Sequence, residues 1–367
     1  MRVVLAQLTD FPESGRIDIY EYAKALSTLG IDVHVVICRN VASKLPPNLA
    51  VHELKLSTNA GPANSLRFAI QAREEILKIS KNKKVDVVHL FNPAPATFAL
   101  GWLLKFSDKR PKIIYDIRTG GIGHGFDAWL INFMARTAPF FADGIITLSS
   151  ALYQRLFGKR VLFHAIVPLG VATDRYQKII HSSNKKKHFD FVYIGSLGKN
   201  RNLKILLEAF TVVQQQFNQV YLTLIGGGDD MVALQEWVAF RHLEPVITFL
   251  PTVPFERVPE MLAKADCGLS FIPVTPWFNP QPPLKTLEYL SSNLPVVATA
   301  TDSHRELWSK LPPELLRHDD VADFGLGLEF AFQQRSKLKA VDFRSIALKF
   351  DWLQITQTKL VPFYRQL

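Results

Sequence analysis

Four stretches of the chain place glycine or proline beside charged side chains, each where an apolar run gives way to a helically spaced one. Such junctions suit an anionic ligand, because glycine lets the backbone come close and the first N–H groups of a helix lack intrahelical partners. The first is Ser14-Gly15, where Gly15 either approaches a ligand or makes a plain turn. The second is Gly195-Ser196-Leu197-Gly198-Lys199-Asn200-Arg201-Asn202. Two glycines, a hydroxyl and two cations at a helix start fit a phosphate. The Lys-Ser/Thr ending of a triphosphate-binding loop and the glycine spacing of a dinucleotide fingerprint are both missing. The third is Gly226-Gly227-Gly228-Asp229-Asp230, with Asp229 read as a helix cap and Gly226 as either a ligand contact or a turn residue. The fourth runs from Pro276 through Asn279, Pro280 and Gln281 to Leu284, Lys285 and Glu288. Its prolines suit a first helical turn, leaving the N–H groups of Leu284 and Lys285 for a diphosphate. Lys285 adds charge. Glu288, one turn on, either accepts from ribose hydroxyls or is a surface residue.

A further pair, Asp116 and Arg118, ends the run Lys112–Ile117 and precedes Gly120-Gly121-Ile122-Gly123-His124-Gly125. Arg118 and His124 are candidate catalytic residues, and His124 has a structural reading beside it. His89, next to Phe91-Asn92-Pro93, has the same two readings. No clustered His/Cys/Asp pattern suggests a metal site, and no nucleophile has an evident paired base.

Alternating apolar strands and amphipathic helices must position these loops. Arg2–Leu8, a helix from Ile17 closed by Gly30, and Ile31–Cys38 make a βαβ unit, hence a parallel pair. The alternation continues through a helix at Leu66–Ile79, a strand at Val85–Leu90 and a helix at Ala96–Phe106. Lys112–Ile117 is a strand, Phe126–Phe140 a helix and Gly144–Leu148 a strand, with Ser149 capping the next helix. The runs Val161–Phe163 and Ala165–Val167 close this half. Composition turns polar and basic over residues 177–190, and a second βα series follows. The expected division is 1–176, a linker 177–190, 191–349 and a terminal helix 350–367.

With 48% hydrophobic and 21% charged residues, the composition is that of a globular protein. The two cysteines, Cys38 and Cys267, fall in strands of different halves, so a reducing cytoplasm is expected rather than a disulfide framework. No signal peptide or membrane span is expected. The net charge of +10 points to an anionic partner or a solvated basic surface. Basic and aromatic residues of the first half, namely Arg67, Phe68, Arg73, Lys105, Phe106, Lys109 and Arg110, suggest an anionic membrane surface. No nucleic-acid module is evident.

In order, Val85-Asp86-Val87-Val88-His89, Ala142 to Ser149, Val167-Pro168-Leu169-Gly170-Val171, Tyr193 to Leu203, Leu224 to Gly228 and Leu287 to Ala298 resemble the retaining glycosyltransferases of family four. The resemblance spans nearly the whole chain and implies a GT-B fold: α/β, two Rossmann-like doubly wound parallel-sheet domains facing across a cleft. The stretch from Phe350-Asp351-Trp352 to Tyr364 resembles that family's terminal helix crossing back to the first domain. The resemblance implies transfer from a nucleotide-diphosphate sugar, held by the second domain, to a carbohydrate or lipid-linked acceptor on the first. Retention, no required cofactor or metal, and a place in surface polysaccharide or glycolipid synthesis follow from it as well. Two departures stand out. Of two glutamates with seven residues between them, Glu288 holds the second place and the first falls on Pro280, flanked by Asn279 and Gln281. Of an Arg-and-Lys phosphate pair, Ser196 and Arg201 hold the places. The alternative is a catalytically degenerate member acting as a nucleotide-binding or scaffold protein.

Overall fold

The computed structural model describes residues 1–11, 17–40, 45–46, 48–59, 61–107, 110–177, 188–281 and 284–367. They form two compact units. One comprises Met1–Leu169 with Trp352–Leu367, the other Gly170–Asp351. Residues 170–176, expected with the first domain, thus belong to the second unit. The backbone explains why: Val171 N–H donates to the Phe350 carbonyl, and the Thr173 hydroxyl donates to Asp351 at 2.6 Å.

The first unit contains β1 (Arg2–Ala6), α1 (Ile17–Thr28), β2 (Asp32–Ile37), β3 (Leu49–Glu53), α2 (Pro62–Asn82) and β4 (Val87–Phe91). It continues with α3 (Pro95–Lys105), β5 (Lys112–Ile117), α4 (Phe126–Thr137), β6 (Gly144–Thr147), α5 (Ser150–Phe157) and β7 (His164–Ile166). All seven strands are parallel, in the order β3-β2-β1-β4-β5-β6-β7. β4 is buried at every position, as expected for a central strand covered on both faces. Gly30 adopts φ +74° behind α1, and the Ser149 hydroxyl accepts from Leu152 N–H, so both helix-end expectations hold. Val161–Phe163, expected as a strand, is not one, and Val161 is almost fully exposed. The terminal segment Trp352–Gln366 is α-helical at each end with a π turn at Thr356–Leu360, and its Phe363 stacks on Phe163 at 5.1 Å.

The second unit contains β8 (Phe189–Ile194), α6 (Leu203–Gln216), β9 (Val220–Ile225), α7 (Met231–Phe240), β10 (Ile247–Leu250), α8 (Val258–Leu262) and β11 (Cys267–Ser270). Then come α9 (Leu284–Ser291), β12 (Val296–Thr299), α10 (Asp302–Leu307), β13 (Leu316–Arg317) and α11 (Val321–Gln333). Its sheet is also parallel, ordered β10-β9-β8-β11-β12-β13. The large buried side chains Phe191, Phe210, Phe271 and Phe324 fill its core. Cys38 and Cys267 are buried free thiols. Burial pushes the Cys267 thiol well above its ordinary range.

Each sheet therefore reverses its winding once, at β1/β4 in the first unit and at β8/β11 in the second. In open parallel sheets the ligand crevice opens beyond the strand carboxyl ends at such a reversal.

Candidate functional site

In the second unit, β8 ends at Ile194 and the chain runs through Gly195–Gly198 into a 3-10 turn at Lys199–Arg201. Asn202, at φ +49°, redirects it into α6. The loop after β9 interlocks with it. Gly195 N–H donates to the Ile225 carbonyl at 3.0 Å, and Leu197 N–H to the Gly227 carbonyl at 2.9 Å. Gly226 sits at φ +154°, and a Cβ there would lie 1.9 Å from the Gly195 carbonyl oxygen. Gly226 therefore allows two strand ends to touch, which is a packing role for a residue also read as a ligand contact. Asp229, expected to cap α7, instead accepts the Lys199 N–H at 3.0 Å, and Asp230 occupies the cap position. The carboxylate thus steadies the cationic turn.

β11 feeds the proline-rich loop. The Arg201 guanidinium lies 4.5 Å from the ring centroid of buried Phe278, so both loops of this reversal come together around one cation. Asn279 and Gln281 are committed locally. Asn279 donates to the Asp302 carboxylate at 2.5 Å and accepts Asp302 N–H at 2.8 Å. Gln281 donates to the Trp277 carbonyl at 2.7 Å. Pro280 is buried between them. Lys285, read as adding charge for a diphosphate, has its Nζ 2.7 Å from Glu288 Oε2. Glu288 is 8% exposed rather than a surface residue, and burial and its carboxylate together push the Tyr176 phenol far up. Leu284 begins α9. Ser196 is exposed, and its carbonyl accepts from the Tyr193 hydroxyl at 3.0 Å. Burial raises that phenol to about 12.

A residue that sequence reasoning passed over braces this loop from below. His304 is fully buried, with Nδ1 2.6 Å from the Thr299 carbonyl and Nε2 2.8 Å from Thr286 Oγ1. A carbonyl only accepts, so Nδ1 carries the proton and Nε2 is the acceptor facing the hydrogen-bonded hydroxyl pair of Thr286 and Ser270. Desolvation lowers its pKa to about 4. The ring is neutral and ties α10, β12 and α9 together. Its only sequence signal is Thr301, whose hydroxyl accepts His304 N–H as a helix cap.

In the first unit the reversal carries charge rather than glycine. Arg118 is 4% exposed, with Nη2 2.6 Å from Asp116 Oδ2 and Nε 3.6 Å from Asp18 Oδ2. Its guanidinium also lies 4.8 Å from the Tyr22 centroid. Asp116 Oδ2 is 3.2 Å from His89 Nε2, and His89 Nδ1 is 2.5 Å from the Tyr364 hydroxyl of the terminal segment. Desolvation lowers the His89 pKa and holds the ring neutral. Burial raises the Asp18 carboxyl, with the Arg118 charge opposing. His89 is thus structural, linking strand to terminal helix. Arg118, Asp18, Gln7, Asn92 and Thr97 line a cavity of about 360 Å³ beyond β1 and β4. The glycine-rich loop is fastened to α4: Gly121 N–H donates to Asn132 Oδ1 at 3.0 Å, and Arg155 donates to the Gly121 carbonyl. His124 is exposed on this loop and, among the described residues, does not line the cavity. Arg118 and His124, both read as catalytic, are therefore not brought together. Gly15 lies outside the described residues.

Among the described residues, no group of three or more His, Cys, Asp or Glu side chains is placed to hold a metal ion. No helix among them is long and apolar enough to cross a membrane.

Two family models match successive parts of the chain: glycosyltransferase family 4 over residues 18–175, and glycosyl transferases group 1 over 188–326. No match is found among curated proteins. Among solved structures, the chain resembles sucrose-phosphate synthase from Thermosynechococcus elongatus at 15% identity and a TM-score of 0.76, covering 100% of this chain and 98% of that one. It resembles Anabaena HepE in complex with UDP at 15% identity and a TM-score of 0.75, covering 100% of both. The lipopolysaccharide outer core galactosyltransferase WaaB is similar at 14% identity and 0.68, again over 100% of both chains. At such identities the structural likeness speaks for the fold, and the two sequence models speak for descent. With a family 4 half followed by a group 1 half, each on its own doubly wound parallel sheet, the chain belongs to the family 4-like glycosyltransferases of the GT-B fold.

Proposed function

We propose that this transferase moves a sugar from a nucleoside-diphosphate sugar to a carbohydrate or lipid-linked acceptor, with retention of configuration and without a metal ion. The carrying observation is Arg201 over Phe278, a cation shared by the two loops at the β8/β11 reversal. The donor diphosphate lies against Gly195, Ser196, Arg201 and the start of α9 at Leu284 and Lys285. Positive charge on Arg201, with that helix start, stabilises the negative charge that develops on the leaving diphosphate. Glu288 accepts from the ribose hydroxyls, and Lys285 divides its charge between Glu288 and the phosphates. Gly226 acts through Gly195 by setting the loop's height. Asn279 and Gln281 act through the loop they brace. The acceptor hydroxyl enters the cavity lined by Arg118 and Asp18, and His124, on the exposed loop outside that cavity, meets the remainder of the acceptor. The net charge of +10 supports the further reading that the enzyme works at a cytoplasmic membrane face, in surface polysaccharide or glycolipid synthesis.

HepE is described in complex with UDP, so UDP and UDP-sugars are the first ligands to test. Arg201→Ala is expected to weaken UDP binding in calorimetry by about 1–3 kcal/mol, the loss of a charge-assisted hydrogen bond. Unchanged affinity removes Arg201 from the site. Pro280, standing where the family has a glutamate, and the Lys285–Glu288 pairing favour a second reading, a degenerate member that binds nucleotide without turnover. UDP binding with no hydrolysis or transfer from any UDP-sugar would establish that reading instead.

A further inference from the structure

Helix α4 carries Phe126, Trp129 and Phe133 on one face, and these are 72%, 58% and 49% exposed. Their rings stack in a row, with centroids 5.7 and 5.5 Å apart. The opposite side of the helix packs inward through Ala128, Met134 and Ala135, so the aromatic row is not core seen from outside. Exposed Ile122 precedes the row and exposed Phe140 follows it. At the end of α3, Trp102 and the following Phe106 form a second exposed ring pair at 5.7 Å. The two helical regions meet where Phe98 packs edge-on against Phe141 at 5.3 Å. Large exposed apolar side chains usually occur singly on a globular surface, and a contiguous set marks an interaction face.

Charge says what that face meets. Arg136, Lys159 and Arg160 are exposed at the carboxyl end of α4. Arg160 reaches the Arg136 carbonyl at 3.2 Å and lies 6.0 Å from the Phe140 centroid. Asp127 is the one acidic residue in the first turn of α4. The nearby Asp143 is held by Arg110 at 2.7 Å. Phenylalanine and tryptophan bordered by arginine and lysine is the composition of a helix lying in a membrane interface. Residues 67, 68, 73 and 110, expected from sequence to form a basic membrane face, divide differently. Arg67 is exposed, but Phe68 is fully buried, Arg73 bonds Ser107, and Arg110 is paired with Asp143. Lys109 lies outside the described residues.

We propose that α4, with the exposed tip of α3, docks this chain onto a bilayer containing anionic phospholipid, the Phe126–Trp129–Phe133 row resting at headgroup depth. The proposal deepens the membrane reading above by naming the surface. α4 follows the loop that leaves the carboxyl end of β5, and Arg118 and Thr119 at the start of that loop line the cavity, so a lipid-borne acceptor would arrive beside it.

The test is co-sedimentation of the full chain with phosphatidylcholine vesicles, with and without phosphatidylglycerol. The variants are Phe126→Ser/Trp129→Ser/Phe133→Ser, the milder Trp129→Ser, and Arg136→Gln/Arg160→Gln. Val232→Ser/Phe240→Ser, on exposed α7 positions of the other unit, is the control. The native chain should bind the anionic vesicles more tightly and lose binding as salt rises. The triple variant should bind at least about tenfold more weakly, and Trp129→Ser should show a smaller loss. The double arginine variant should lose roughly fivefold for each charge, on anionic vesicles only. The control should match the native chain. UDP-induced thermal stabilisation, read in parallel, should be the same in all, so failure of the donor assignment shows separately. Native-like vesicle binding by the triple variant overturns the assignment of this face. Absence of native binding at low salt overturns the membrane as partner. So does a native dimer in sedimentation velocity that the triple variant turns into a monomer, because a second copy would then cover the face.

Discussion

The two reversals follow one topological rule with opposite chemistry. At β8/β11 the chain uses backbone: glycines packed carbonyl to Cα, loops joined by N–H···O bonds, and one cation, Arg201, held over a ring. At β1/β4 it uses side chains: Arg118 is buried between Asp116 and Asp18, with His89 and Tyr364 behind. A backbone cradle recognises what all diphosphates share and is nearly indifferent to what they carry. A buried charge cluster is costly to assemble and recognises one shape. On the proposed reading, the second unit would serve the shared part of the reaction and the first the particular part.

The largest expected effect probes the side-chain reversal. Asp116→Ala leaves Arg118 buried with only the more distant Asp18, and should destabilise the first unit by about 3–5 kcal/mol. Chemical denaturation should show that loss in the transition that also exposes Trp352, and a near-native curve would mean that Asp18 suffices. Gly226→Ala probes the backbone reversal. Its Cβ would meet the Gly195 carbonyl oxygen at 1.9 Å with nowhere flexible to move, costing about 3 kcal/mol. UDP binding should fail in the same variant. Binding retained despite lost stability would separate loop height from donor contact.

A pH effect comes next. The His304 pKa is lowered to about 4 in the folded chain from an unfolded value near 6.5. A depressed folded value means that the unfolded chain takes up the proton first. The stability is therefore fully present above pH 6.5 and is lost as pH falls from there toward 4, by roughly 2–3 kcal/mol. His304→Asn should flatten that part of the pH–stability curve, and an unchanged slope would assign the acid loss to other groups. The smallest effect belongs to Glu288→Gln. It should weaken binding of ribonucleotides by about 1 kcal/mol, and of 2′,3′-dideoxy analogues by less. Equal losses would assign Glu288 to the Lys285 and Tyr176 network alone.

The sequence by itself determined the two βα series, the parallel sheets and the strand-end loops, because apolar periodicity and turn chemistry are local properties. It did not show β3, whose Leu49–Glu53 residues are half exposed at a sheet edge and carry no apolar run. Nor did it show α11, where Gly325 and Gly327 dilute the helical signal carried by Phe324, Leu328 and Ala331. Tertiary structure alone decided who partners whom. Lys285 looked available for a phosphate until Glu288 met it one turn away. Arg118 read as a catalytic candidate beside Asp116 alone, and the fold added Asp18, a hundred residues earlier, to its partners. His304 looked like an ordinary helix residue until three elements closed over it. Phe126–Phe140 read only as a helix, and the fold decided that Phe126, Trp129 and Phe133 face outward. Local chain statistics encode which backbone conformations are cheap. Partnering depends on contacts between residues far apart in sequence, and on which face of each helix the sheet leaves uncovered.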